Sequence, residues 1–239
     1  MKFMKVNLSH QRALLWIALV MAIVYGLALV FLLEFFPPPA PTLSATDVVT
    51  LYAHSNLRFR IGAAIMLVVG AFNTPWSIVV SLQMARDELG APTWAIMQSL
   101  AATINSFLFF MTPFMWGMAA FSVDRPPELT VLLQQCAWLI FTAAVSMFPF
   151  QIFPTAVVAF SKKEDPANSA FPRWIGWVTL LLGLSGTAGV SAMLFKTGPF
   201  AWNGLVPFYL PLSLFGIWMT CMSISMFRAI RLQKEMAQS

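Results

Sequence analysis

Long runs of apolar residues alternate with short polar stretches along the whole chain. Each run is close to the roughly 20 residues that a helix needs to cross the hydrocarbon core of a bilayer. Because a membrane interior offers no water to the backbone, such segments must be helical, and the short alternating segments of a transmembrane barrel are absent from the sequence. The pattern predicts an all-α bundle in one integral membrane domain, residues 1–239, with transmembrane helices at 14–36, 61–84, 93–121, 129–160, 174–195 and 205–227.

Composition supports a protein whose solvent is lipid. Hydrophobic residues make up 59% of the 239 residues and charged residues only 10%, whereas soluble domains carry about 25% charged residues. The mean hydropathy is +0.77. These values exclude a soluble enzyme, a nucleic-acid-binding protein and a disordered tail, so the lipid bilayer is the first predicted partner.

The basic residues predict the orientation in the membrane. An even number of spans puts both termini on the same side, and cytoplasmic loops are enriched in Lys and Arg. With the N-terminus inside, four basic residues lie outside, namely Arg58, Arg60, Arg125 and Lys196. The ten others are then cytoplasmic: Lys2, Lys5, Arg12, Arg86, Lys162, Lys163, Arg173, Arg228, Arg231 and Lys234. This asymmetry predicts an N-in, C-in protein.

The first outer loop is predicted to contain a short helix. Residues 37–41 are Pro-Pro-Pro-Ala-Pro, a sequence that favours an extended exit from the membrane. Ser44 with Asp47 three residues later is typical of a helix N-terminus. An apolar face follows, formed by Val48, Val49, Leu51 and Tyr52. We therefore expect a short amphipathic helix on the outer surface of the membrane.

The first apolar run also has some features of a secretory signal. Basic residues precede it, and a weak cleavage pattern follows at Leu43-Ser44-Ala45. However, the run is about 20 residues long, against 7–15 for the apolar part of a signal peptide. The sequence favours a retained first helix, with cleavage as the alternative.

Residues that would support known cofactor chemistry are few. The two histidines, His10 and His54, are predicted to lie on opposite sides of the membrane, so they cannot ligate one haem or metal cluster together. No G-x-S-x-G motif, Cys pair motif or phosphate-binding loop is present. We therefore predict no metal site and no cofactor, and we assign no catalytic residue. Enzymatic activity is the less favoured interpretation.

Uncharged polar residues form a stripe along the third predicted span. Gln98, Asn105 and Thr112 recur every seven residues and so share one face of a helix. Polar residues of other spans could face this stripe, namely Asn73, Gln134, Gln135, Gln151, Ser213 and Thr220. One interpretation is hydrogen bonding between helices, at about 0.6 kcal/mol per bond. The other is a polar-lined cavity that admits one oxygenated, mainly apolar molecule.

Prolines within the spans agree with the second interpretation. Pro149 and Pro154 flank Gln151 in the fourth predicted span, and each removes a backbone donor from its helix. This segment is the best sequence candidate for a broken helix beside a bound ligand, with a simple kink as the alternative. In the fifth span Gly183, Gly186 and Gly189 let another helix approach closely, either within the chain or in an oligomer.

Glu34 is the ionisable residue that lies closest to the interior of a predicted span. It precedes the outer end of the first predicted span by two residues. One interpretation is an interfacial carboxylate paired with Arg58 or Arg60, and the other is a role in proton or cation binding.

Two segments near the C-terminus carry a resemblance to known proteins. They are Phe-Pro-Arg-Trp at 171–174 and Lys-Thr-Gly-Pro-Phe-Ala-Trp-Asn-Gly-Leu at 196–205. With the spacing of the spans, they resemble a poorly characterised family of six-helix bacterial inner-membrane proteins. The resemblance implies a multi-pass protein of the bacterial cytoplasmic membrane, and it implies no reaction and no functional residues.

Three functional hypotheses follow from the sequence. The leading one is a membrane protein that binds or passes an apolar small molecule, such as a lipid, a sterol-like compound or a hydrocarbon derivative. Its predicted ligand-binding residues are Asn73, Gln98, Asn105, Thr112, Gln151, Glu34, Arg58 and Arg60. The second is an accessory subunit of a larger membrane complex or a homo-oligomer, joined through the glycines. The third is a membrane enzyme that uses Glu34 with Arg58, Arg60 and His54.

Overall fold

Helices make up the regular structure of the protein. The computed structural model describes residues 7–122, 124–236 and 238. Helix accounts for 79% of the chain, and the described residues contain no strand. The α-helices are α1 (Leu8–Leu27), α2 (Ala45–His54), α3 (Asn56–Val69), α4 (Asn73–Asp87), α5 (Thr93–Phe121), α6 (Pro127–Ala143), α7 (Phe148–Phe160), α8 (Arg173–Thr187) and α9 (Leu210–Met236).

Six helical segments are long and apolar enough to cross a membrane. They are Leu8–Leu32, Asn56–Asp87, Thr93–Phe121, Pro127–Phe160, Arg173–Met193 and Leu205–Met236. The third has the predicted bounds. The first begins earlier than predicted, because the side chain of Asn7 accepts a hydrogen bond from the backbone N–H of His10 and so caps the helix. It also ends earlier, at Leu32. Lys2 and Lys5, which entered the orientation prediction, lie outside the described residues.

Helix α5 is the centre of the bundle. It packs against α3, α4, α6 and α7. Small side chains, including Ala102 and Ala119, are fully buried on it and let these neighbours approach closely. One close approach is at Gly70, between α3 and α4, where an added Cβ would lie 2.7 Å from the backbone oxygen of Phe109. Only glycine fits this position without displacing α5.

The other spans contain irregular backbone. Short 3₁₀ turns join α3 to α4 at Gly70–Phe72 and extend α8 through Ala188–Met193. π-helical turns end the first span at Ala28–Leu32 and begin the sixth at Leu205–Tyr209. The fourth span is broken at residues 144–147, between α6 and α7. At membrane depth, such backbone is tolerated only where protein covers it or where it lines a cavity.

The break in the fourth span lies just before the segment that the sequence indicated. Helix α7 begins at Phe148 with Pro149 in its first turn, where the missing backbone N–H costs nothing. Pro154 is accommodated within α7. The helix therefore restarts at the first proline, so the chain opens N-terminal to Pro149 and not between Pro149 and Pro154.

The short helix of the first loop, α2, forms where it was predicted. Ser44 is its N-cap, and its hydroxyl accepts a hydrogen bond of 3.2 Å from the backbone N–H of Asp47. Its apolar face, however, is taken up by the bundle, because Val48 and Tyr52 are buried and the helix packs against α6.

Replacing Gly70 with alanine should destabilise the protein. The new Cβ meets the backbone of α5, so α3 and α4 must shift, at a cost of about 1–3 kcal/mol. Gly216 in α9 is the matched control, since an added Cβ there has no atom within 4 Å. Gly216→Ala should stabilise the helix by about 0.5–1 kcal/mol. The measurement is unfolding of each variant by SDS titration in mixed micelles, and equal shifts for both variants would contradict the close approach.

Candidate functional site

Three buried amides form a hydrogen-bonded chain at the centre of the bundle. Asn105 Nδ2 donates to Gln151 Oε1 over 2.8 Å. Gln151 Nε2 donates to Asn73 Oδ1 over 3.0 Å, and Asn73 Nδ2 donates to the carbonyl oxygen of Ala102 over 3.0 Å. These side chains are at most 4% exposed. The chain joins α4, α5 and α7, and Gln151 lies in the first turn of α7 after the break.

A cavity of about 130 Å³ lies beside this amide chain. Asn105 and Gln151, joined by their hydrogen bond, form its polar end, and the third polar residue in its lining, Thr142, donates its hydroxyl hydrogen to the carbonyl oxygen of Trp138. Its walls are mainly apolar and include five phenylalanines, from α5, from both sides of the break in the fourth span and from the start of the sixth span: Phe109, Phe141, Phe148, Phe208 and Phe215. The residues that line the cavity include no charged side chain.

The cavity exists because the backbone is irregular on two of its sides. At the break, Ala144 and Val145 line it in place of a continuous helix wall. On the other side Pro207 lies in the π-helical turn and Pro211 in the first turn of α9. The rings of Phe109 and Phe215, which both line the cavity, contact each other with centroids 6.1 Å apart. Together the two irregular segments leave an opening that regular helices would close.

The structure brings together three of the predicted polar residues and separates the rest. Asn73, Asn105 and Gln151 form the amide chain. Gln98 is buried away from the cavity, and its Oε1 accepts a hydrogen bond from Ser81. Thr112 is also buried, and its hydroxyl has no partner among the described residues. The stripe therefore shares one face of α5, but it is not one site.

The candidate residues of α6 and α9 for facing the stripe have other environments. Ser213 and Thr220 are exposed on the outside of the bundle, so they do not face α5. Gln134 is buried, but its Oε1 has no hydrogen-bond partner among the described residues. Gln135 is half-buried.

Glu34 and Arg58 form an ion pair at one end of the bundle. Arg58 Nη2 lies 2.7 Å from Glu34 Oε2, which confirms one of the two predicted pairings. Glu34 lies beyond the last helical residue, Leu32, with a left-handed φ of 55°. The hydrogen bond from Arg58 lowers the pKa of Glu34 below its usual value, assisted by the charges of Arg58 and His54.

Arg60 is separate from this pair. Its guanidinium carbon lies 5.1 Å above the centre of the Phe121 ring, in a cation–π contact. Glu34 and Arg58, with His54 and Asp47, instead line a pocket between α2 and α3 that shares no lining residue with the central cavity. The predicted set therefore divides into a central amide group and a terminal charged group, with Arg60 in neither.

The glycines of the fifth span are covered within the chain. Helix α8 packs against α7, with the ring of Phe153 over Gly183 and the ring of Phe148 over Gly186. The internal seam is thus the alternative that the structure supports. An oligomer joined through these glycines would have to displace α7.

Sequence reasoning missed a buried aromatic cluster that contacts the cavity wall through Phe208. Phe35 is fully buried, with ring centroids 4.9 Å from Trp116 and 5.2 Å from Trp138. Trp138 in turn lies 5.9 Å from Phe208 on the cavity wall. The available signal was the position of Trp116 and Trp138 inside apolar runs, because membrane tryptophans usually lie at the interface.

Comparisons with protein families, with curated proteins and with solved structures find no match to the chain. Among residues 7–122, 124–236 and 238, no group of three or more His, Cys, Asp or Glu side chains is placed to hold a metal ion.

Replacing Gln151 with leucine should destabilise the bundle. The change removes two hydrogen bonds and leaves Asn105 Nδ2 without an acceptor, at a cost of about 1–3 kcal/mol. Gln135→Leu is the matched control, because Gln135 is half-buried and makes no side-chain hydrogen bond to a described residue. It should change stability by less than about 0.5 kcal/mol. SDS titration measures both, and a neutral Gln151→Leu variant would contradict a structural role for the amide chain.

Proposed function

We propose that this multi-pass membrane protein binds a mainly apolar small molecule in its central cavity. The observation that carries the proposal is the cavity of about 130 Å³ with aromatic walls and an amide end. An apolar cavity of about 150 Å³ in a soluble protein is large enough for benzene. A ring or a short alkyl segment of a larger molecule therefore matches the space.

The depth of the cavity supports a ligand that arrives from the bilayer. Asn105 lies near the middle of α5, a helix of 29 residues. Leu212 of α9 lines the cavity and is 36% exposed on the outside of the bundle. The cavity edge is thus accessible between helices at the level of the hydrocarbon core, where apolar molecules concentrate.

We also propose that both termini are cytoplasmic and that the membrane is the bacterial cytoplasmic membrane. The helix order supports this orientation, because among the described residues it puts Arg58, Arg60, Arg125 and Lys196 at one end of the bundle and the eight other basic residues at the opposite end. The bacterial location rests on the resemblance of residues 171–174 and 196–205 to bacterial inner-membrane proteins. Membership in a larger complex stays a prediction.

Cysteine labelling tests the orientation. In a chain with Cys136 and Cys221 replaced by serine, single cysteines are introduced at Glu164 and at Thr197, both exposed in loops at opposite ends. A membrane-impermeant maleimide should label Thr197→Cys on intact cells and Glu164→Cys only after permeabilisation. The reverse pattern would overturn the proposed orientation.

Mass spectrometry of gently purified protein tests the binding proposal. The wild-type protein should retain an apolar compound in about 1:1 ratio. Ala144→Phe should lose it, because the new ring enters the cavity that Ala144 lines. Gly216→Phe is the control, since its position has open space around it on α9, and it should retain the compound. Equal retention by both variants would place the compound elsewhere and contradict the proposal.

A further inference from the structure

We infer that the molecule in the central cavity is an uncharged donor of a hydrogen bond, such as an apolar alcohol or phenol, and that it donates to Asn105 Oδ1. The inference rests on the proposed function, because it uses the same cavity. It adds the chemical class of the ligand, which cavity size and apolar walls do not give.

The direction of the amide chain is the first step. Oxygen and nitrogen of an amide side chain are assigned from their hydrogen bonds. The carbonyl oxygen of Ala102 can only accept, so Asn73 must present its nitrogen there and its oxygen to Gln151. Gln151 then presents its nitrogen to Asn73 and its oxygen to Asn105. A backbone carbonyl thereby fixes the orientation of all three amides.

The unused oxygen of Asn105 is the second step. Because Nδ2 of Asn105 faces Gln151, Oδ1 is left over, and it accepts no hydrogen bond from a described residue. Asn105 lines the cavity and is only 4% exposed. Oδ1 is not one of the fully enclosed side-chain atoms that lack a partner, so it borders open space. At membrane depth an acceptor without a donor costs free energy. A ligand O–H at the polar end of the cavity removes this cost, whereas an ether or a hydrocarbon does not.

The uncharged cavity wall determines the charge of the ligand. The described cavity wall contains no ionisable side chain that could compensate a charged ligand. An ion without a partner is strongly disfavoured at membrane depth. The donor must therefore be neutral, which excludes ammonium and carboxylate groups and favours a hydroxyl. The oxygen of the same hydroxyl can also accept a hydrogen bond from the second hydrogen on Asn105 Nδ2. One hydroxyl group can therefore bond to both the oxygen and the nitrogen of the Asn105 amide.

Three matched probes test the inference in lipid nanodiscs. 4-Propylphenol carries the donor, 4-propyltoluene replaces the hydroxyl with a methyl group, and 4-propylanisole keeps the oxygen but cannot donate. Binding is measured against empty nanodiscs, so that each affinity refers to the probe concentration in the membrane. The wild-type protein should bind the phenol about tenfold more tightly than the other two, as expected for one hydrogen bond to a buried acceptor.

The double variant Asn105→Leu/Gln151→Leu identifies the acceptor. It replaces both partners of one hydrogen bond with apolar groups of similar size, a change that is often nearly neutral for stability. Asn73 Oδ1 keeps the hydroxyl of Ser77 as a donor at 3.4 Å. The variant should bind all three probes with similar affinity. Ala144→Phe should bind none of them.

The outcomes separate the inference from the proposed function. Equal binding of the three probes to the wild-type protein, blocked by Ala144→Phe, would overturn the donor requirement and leave the cavity proposal intact. A phenol preference that persists in the double variant would also overturn the inference, because the acceptor would not be Asn105. No saturable binding of any probe, with no retained compound in the purified protein, would overturn the proposed function itself. The anisole comparison needs only the wild-type protein, so the test holds even if the double variant does not fold.

Discussion

The hydrogen-bonded amide chain from Asn105 through Gln151 and Asn73 to the Ala102 carbonyl is the interaction on which the centre of the bundle depends. Helix α7 starts inside the bundle after a break, so its first turn lacks the support that an uninterrupted span would provide. Gln151 lies in that turn and bonds to both α5 and α4. With little competing water at this depth, the amide chain fixes the start of α7 against the central helix.

The cavity follows from this anchoring. A broken span leaves an open space beside it only if the helices on both sides of the break are held in place. The close packing of α8 on α7 at Gly186 is the second contact that holds α7. The open backbone at 144–147 is then covered by protein or faces the cavity, as membrane-depth backbone must. The π-helical start of the sixth span opens the opposite wall. Two local irregularities, each tolerable alone, together produce one internal space.

The sequence predicted the spans better than their interiors. Helix α5 has the predicted bounds, because apolar length and turn residues define both ends. Asn105 and Gln151 were identified as polar residues within apolar runs, but the seven-residue stripe also indicated Thr112, which lies away from the cavity. Periodicity assigns a residue to a face of its own helix, but not to a neighbour. The position of the break and the outward direction of Ser213 depend on tertiary packing, which no local pattern contains.

Selectivity in such a cavity cannot come from apolar contact alone. In water, aromatic walls attract any apolar ligand through the hydrophobic effect. In a bilayer the competing solvent is itself hydrocarbon, so transfer from lipid to the cavity brings little gain of this kind. Two features can then distinguish a ligand from a lipid chain. They are the shape of the wall at the Phe109 and Phe208 rings and the amide oxygen of Asn105. In the proposed function, the Asn105 amide is therefore expected to discriminate between ligands more strongly than the aromatic surface around it.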